Sequence, residues 1–251
     1  MFEDQKNGDV AHKMIKDTFD CILVINLKDR RDRRIEMESE LQKIGLSFAD
    51  GGAEILVASR FTDPGGFETI GARGCFDSHL KAIKFAIEKK AKNLLILEDD
   101  CDFVKSIEKH LVESIDCLRD KDWALFYGGH LSKIGRMDNS EIIYRISPEI
   151  GLQGSHFIGV SGHILPFLAV YLERIAAREP GSPLGGPMHV DGAYSWFRRE
   201  HPHFETWVAE PQLGFQRPSR TDVHSLNFFD RVRGFRELAG LARRFKRKIR
   251  A

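Results

Sequence analysis

The sequence predicts an α/β fold with a mostly parallel central sheet and helices on both of its faces. Residues 21–27 and 93–97 are apolar runs without the alternation that leaves one face to water, the pattern of strands buried on both sides. Stretches with helical spacing separate such runs, so strand, helix and strand follow one another as in a β-α-β crossover, which pairs strands in parallel. The second run ends in a cluster of charge, at the edge of an α/β sheet where ligands bind.

Taken in order, the first strand covers residues 21–27 and contains one polar residue, Asn26, whose amide needs a partner if it is buried. The turn Lys28-Asp29-Arg30-Arg31-Asp32-Arg33-Arg34 opens a helix in which Ile35, Met37, Leu41 and Ile44 keep helical spacing, with Asp32 as N-cap and Gly45 as stop. Guanidinium groups and free N–H groups at this point suit an anionic ligand; a solvated helix start laced by charge pairs would look the same. A second strand is expected over 54–59, a loop with Pro64-Gly65-Gly66 over 61–69, and a helix from Gly71 to about Lys90. Ser78 and His79 sit in that helix, facing a nucleotide or packing its first turns.

The strand of 94–97 should then lie beside a parallel neighbour. A helix over 106–118 and strands over 123–127, 142–146 and 157–160 follow, then a helix over 167–177. After the Pro/Gly loop 180–187, Asp191 precedes an aromatic helix, as its N-cap or as a site residue. A short strand over 207–209 and a polar closing loop over 210–222 complete the body of the chain.

With 251 residues, 42% of them hydrophobic and 30% charged, and with no repeat or linker-like stretch, residues 1–230 read as one domain. Four cysteines without C-x-x-C spacing suit a reducing compartment. Residues 1–20 lack the apolar core of a signal peptide, and no apolar run approaches the roughly 20 residues of a membrane span, so a cytoplasmic location is expected. The net charge of +1 is unevenly spread: residues 231–251 hold nine Lys and Arg against one acidic residue, a net of +8, which leaves −7 on the rest. An acidic body argues against a whole-surface nucleic-acid binder, and no nucleic-acid partner is expected. Towards the end of the chain, Phe228, Val232, Phe235, Leu238 or Ala239, Ala242, Phe245 and Ile249 recur at three- and four-residue steps among the basic residues. This is a basic amphipathic helix for an anionic membrane surface, or one that docks on its own domain.

Glu98, Asp99, Asp100 and Asp102 put four carboxylates into five positions. Such crowding is costly at neutral pH unless a cation, a basic partner or solvent offsets it. Magnesium or manganese, which takes one or two protein carboxylates and completes its shell with water and phosphate oxygens, is one solution; a solvated acidic loop is the other.

Three segments in this order and spacing, Ile25-Asn26-Leu27 with Arg30-Arg31-Asp32-Arg33-Arg34, Gly74-Cys75-Phe76-Asp77-Ser78-His79-Leu80, and Ile96-Leu97-Glu98-Asp99-Asp100, resemble glycosyltransferase family 25. That family includes bacterial lipooligosaccharide β-galactosyltransferases and collagen galactosyltransferases, and the likeness runs from about Cys21 to Asp222. Ser161 to Val170 and Phe76-Asp77 depart from its pattern. The resemblance implies a GT-A-like, Rossmann-like transferase of a nucleotide-diphospho-sugar such as UDP-galactose, acting on a saccharide or lipid-linked saccharide. Glu98, Asp99 and Asp100 would be its acidic metal-binding element for Mn2+ or Mg2+, with His224 or His189 as a further ligand. Asp191 would be the base of an inverting reaction, and Asn26, Arg30, Ser78, Glu98 and Asp99 would contact the donor. A lipid-linked acceptor places the protein at the inner face of the cytoplasmic membrane. A nucleotidyltransferase or metal phosphatase would use the same carboxylates, and a silent binding module would use none.

Overall fold

The structure, a computed structural model, describes residues 2–134 and 142–217. Among these, seven strands form one sheet in the order β2-β1-β3-β7-β5-β8-β6: β1 Cys21–Asn26, β2 Glu54–Val57, β3 Asn93–Glu98, β5 Trp123–Gly129, β6 Ile143–Arg145, β7 Phe157–Ser161 and β8 Glu205–Ala209. The parallel pairings β1 with β2, β1 with β3 and β5 with β8, and the antiparallel ones of β7 and β6, set five strands one way and two against them. The expected mostly parallel α/β sheet is therefore present. Its parallel pairing of β3 falls on β1, across the crossover formed by α2 Arg31–Gln42 and α3 Ile70–Glu88.

The unbroken apolar runs have the cause expected of them. Cys21, Leu23 and Ile25 with Leu94 and Ile96 face one core, which α3, α5 Leu165–Ala177 and α6 Val190–Glu200 cover. Ile22, Val24, Leu95 and Leu97 face another, under α1 Phe2–Thr18, α2 and α4 Ile107–Arg119. With both faces packed there is no solvent side to carry polar residues.

One element is additional to those expected, and three expectations are corrected. The polar opening segment is a helix, α1, and Ala11, Ile15 and Phe19 bury its inner stripe at four-residue steps. The N-cap of α2 is Arg30, and Asp32 lies inside the first turn, bonded to Arg30 at 2.9 Å. That hydrogen bond draws the Asp32 carboxyl down to about 2. Asp191 is likewise inside the first turn of α6, whose N-cap is His189. Finally, the closing loop contains a strand, β9 Gly214–Gln216, which pairs antiparallel with β4 Cys101–Phe103 directly after the acidic residues. The loop after β3 is thus neither free nor solvated: Asp99, Asp100 and Asp102 are 6%, 3% and 2% exposed.

Two buried contacts hold this small sheet down. Glu40 of α2 accepts from the Phe103 amide at 2.8 Å, and the Arg217 guanidinium meets Asp102 Oδ1 at 2.6 Å and also bonds Glu36. The basic tail and His224 lie outside the described residues.

Candidate active site

Strands β1, β2, β3 and β5 all end at one edge of the sheet, and β7 begins there, so their connections converge on a single place. A cavity of about 450 Å3 opens at that edge. Its wall includes Arg33 of α2, Ser59 and Arg60 after β2, Cys75, Ser78 and His79 of α3, Glu98, Asp99 and Asp100, Ser155 and His156 before β7, Asp191 of α6, and Gln216 of β9. Helix α3 comes in close because residue 74 is glycine. A Cβ there would stand 2.8 Å from the Ser59 carbonyl oxygen.

The acidic residues have distinct partners. Asp99 is held from two sides, by Asn26 Nδ2 at 2.8 Å and by Arg33 Nη1 at 2.7 Å. Glu98 accepts from Ser155 Oγ at 2.9 Å and lies 3.4 Å from His79 Nε2. Burial works to raise the Glu98 carboxyl, but the His79 contact, with His156 and Ser155, outweighs it and holds the group below the usual range. Asp100 stands differently. Its Oδ2 is 3.3 Å from Arg33 Nη1 and 3.5 Å from Gln216 Nε2, while its Oδ1 is buried with no hydrogen-bond partner among the described residues. Burial, followed by the nearby Glu98 charge, raises its carboxyl to about 7. An orphaned carboxylate oxygen beside further carboxylates is a hard-oxygen donor set, and it fits a divalent cation of the magnesium or manganese class.

Asp191 accepts from the Gly154 amide at 2.9 Å and from the Gly192 amide at 2.7 Å, so backbone groups orient both of its oxygens. The other residues singled out by sequence fall in different places. Asn26 does not line the cavity: its amide is used up on Asp99, the Arg30 carbonyl and Arg34. Arg30 is turned to Asp32, outside the cavity. Ser78 is in the wall, but its hydroxyl donates to the Gly74 carbonyl at 2.6 Å and accepts from the Ser59 amide at 2.9 Å. His189 also lines the cavity, 3.3 Å from Glu68.

Arg33, which binds both Asp99 and Asp100, is the site residue that the arginine-rich turn concealed among its neighbours. Helical phase could have separated it, because Arg33, Met37, Glu40 and Leu41 share the buried face of α2. Ser155 and His156 carried no sequence signal; they reach the site through the pairing of β7, while Gln216, which opens a stretch resembling the family's closing motif, reaches it through the pairing of β9 with β4.

No protein-family model matches the chain. It is 33% identical to human procollagen galactosyltransferase 2 over 129 residues, which is 44% of this chain and 21% of that one. It is 29% identical to procollagen galactosyltransferase 1-B of Xenopus laevis over 217 residues, 76% of this chain and 34% of that one. A glycosyltransferase 25 family member of Drosophila melanogaster matches at 31% over 129 residues, 45% of this chain and 21% of that one. The chain thus spans about a fifth to a third of the length of these curated relatives. The solved structure of a glycosyltransferase involved in the glycosylation of the major capsid of PBCV-1 superposes with a TM-score of 0.48 and 11% identity, over 80% of this chain and 94% of that one. That likeness is too slight to argue from. The sequence relatives are not, and through them this chain is related to the family 25 glycosyltransferases, as its three motifs suggested.

Proposed function

We propose that this chain is a GT-A-like glycosyltransferase that moves galactose, with inversion, from UDP-galactose to a saccharide acceptor. One observation carries the reading: a single cavity at the carboxyl edge of β1 and β3 gathers Glu98, Asp99, Asp100, Arg33 and Asp191, with one Asp100 oxygen buried and without a hydrogen-bond partner among the described residues. The relatives that bear galactosyltransferase names support it.

On this reading Asp100 and Glu98 hold Mn2+ or Mg2+, with His189 or His224 as a further ligand. When bound, such an ion offsets the charge of a diphosphate leaving group and orients it. The protein's own groups do the rest. Asp99 does not need the ion, because Asn26 and Arg33 already satisfy it; the three together form the rigid support on which Asp100 stands. Asp191 takes the proton of the acceptor hydroxyl as that oxygen bonds to the anomeric carbon and the carbon–phosphate oxygen bond breaks. Amides of Gly154 and Gly192 keep its carboxylate from turning away, which favours a near-attack geometry. The acceptor we infer is a saccharide of bacterial lipooligosaccharide, met at the inner face of the cytoplasmic membrane with the help of the basic tail.

The test is incubation of the full chain with a panel of nucleotide sugars, manganese and saccharide acceptors, followed by product analysis. Release of UDP from UDP-galactose and a β-linked product are expected. Release of pyrophosphate or free sugar phosphate would instead assign the carboxylates to a nucleotidyl or phosphate transfer. No turnover of any donor would leave a binding module.

A further inference from the structure

The cavity contains a second set of donor atoms of a different chemical kind. Cys75 and His79 lie four residues apart on α3, hence on one face of the helix, and Glu98 at the end of β3 meets that face. One donor atom from each of the three lies within 4.8 Å of the other two. We propose that Cys75, His79 and Glu98 form a site for a thiophilic divalent cation of the zinc class, separate in its chemistry from the hard cation expected at Asp100.

Geometry supports the assignment. Two ligands of one tetrahedral zinc ion stand about 3.3 to 3.6 Å apart, given Zn–N and Zn–O near 2.0 to 2.2 Å and Zn–S near 2.3 Å. His79 Nε2 is already 3.4 Å from Glu98 Oε1. On its other side, His79 Nδ1 is 3.0 Å from the Tyr194 hydroxyl, the kind of outer contact that fixes the ring of a metal-binding histidine. Ser155 anchors Glu98 in the same way. Cys75 and Glu98 both line the cavity, so the fourth position of a three-ligand site would face it, as in open rather than closed zinc sites.

Charge points the same way. Cys75 lies in the field of Glu98, Asp191 and Asp100, three carboxylates whose negative charge favours a cation beside its sulfur. Binding is then an exchange: the S–H bond breaks, a sulfur–metal bond forms, and the proton passes to solvent. On the transferase reading above, a zinc ion seated here also takes Glu98, so zinc opposes manganese in turnover.

The test uses the full chain with Co2+ alone and no nucleotide sugar, so its outcome does not depend on the transferase reading. One cobalt per chain is expected, with a thiolate-to-cobalt charge-transfer band in the near ultraviolet that disappears in Cys75→Ser and persists in Cys117→Ser, whose cysteine is exposed. X-ray absorption of the zinc-loaded wild-type chain, which needs no variant, should give one sulfur neighbour at about 2.3 Å among nitrogen and oxygen. A zinc shell without sulfur, or a band that survives Cys75→Ser, overturns the proposal.

Discussion

Asp99 and Asp100 are neighbours in sequence with opposite surroundings. Asp99 has an arginine and an amide within 2.8 Å, whereas Asp100 shares that arginine at 3.3 Å and leaves one oxygen without a partner among the described residues. Burial and Glu98 raise Asp100 to about 7, so the folded protein binds this proton more tightly than the unfolded chain does. A raised carboxyl stabilises fully below its unfolded value of 3.8, and that contribution is lost as pH climbs through 7. Asp100 should therefore contribute less stability at pH 8 than at pH 5, against the opposite slope of His130 and His156, whose charging burial disfavours, and Asp100→Asn should raise the melting temperature at pH 8 relative to that at pH 5 when compared with the wild type. With one charge gone from the cluster, the variant should match or exceed the wild type in stability at pH 8 while losing transfer. A collapse of its melting temperature would mark Asp100 as structural. For Asp191, substitution by Asn keeps the shape and removes the base; a rate at least about 100-fold lower with unchanged donor affinity is expected from steady-state kinetics. Weakened donor or metal binding would move Asp191 out of the base role.

At the scale of elements, the long strands and helices were legible because their signals are local. Continuous apolar runs marked β1 and β3, and the helix expected over 106–118 is α4, whose N-cap Ser106 makes no side-chain capping bond. Thr69 accepts from the Ala72 amide at 3.0 Å and caps α3, so Thr69→Ala should cost about 1 kcal/mol in denaturant unfolding. The pair β4 and β9 was not legible. Each is three residues long, and what makes them strands is each other, across more than 100 positions of sequence. Arg217 fastens this pair. It is 6% exposed against a 3% exposed Asp102, and removing one partner of such a pair leaves the other charge buried. Arg217→Met should destabilise the fold by about 3 to 5 kcal/mol, and adding Asp102→Leu should recover much of that loss. Equal stability of the single variant and the wild type would show the latch to be idle.

For the molecule as a whole, the charge division of −7 against +8 is a property of sequence that needs no coordinates. Near an anionic leaflet each basic residue contributes about 1 kcal/mol, which salt weakens. We expect the full chain to float with anionic vesicles at low salt and not at high salt, and a chain ending at Asp230 to stay behind in both. Equal recovery of the two chains would remove the tail from membrane attachment. Misfolding of the shorter chain would favour a helix docked on its own domain.

From sequence alone came the α/β class, the parallel pairing of β3, the acidic element after it and the kinship with family 25. Each of these is written in contiguous residues: apolar runs, helical spacing and motif order. Tertiary structure decided which charges meet. Within seven consecutive residues of one turn, only the phase of α2 tells Arg33, buried on two aspartates, from Arg30, turned outward to Asp32. The same acidic run could have been solvated; what buries it is β9, returning from the far end of the described chain to pair with β4, together with Glu40 and Arg217. A pattern of residues states what a segment prefers, but the field at a carboxylate depends on groups brought near it by the fold, and those are distant in sequence.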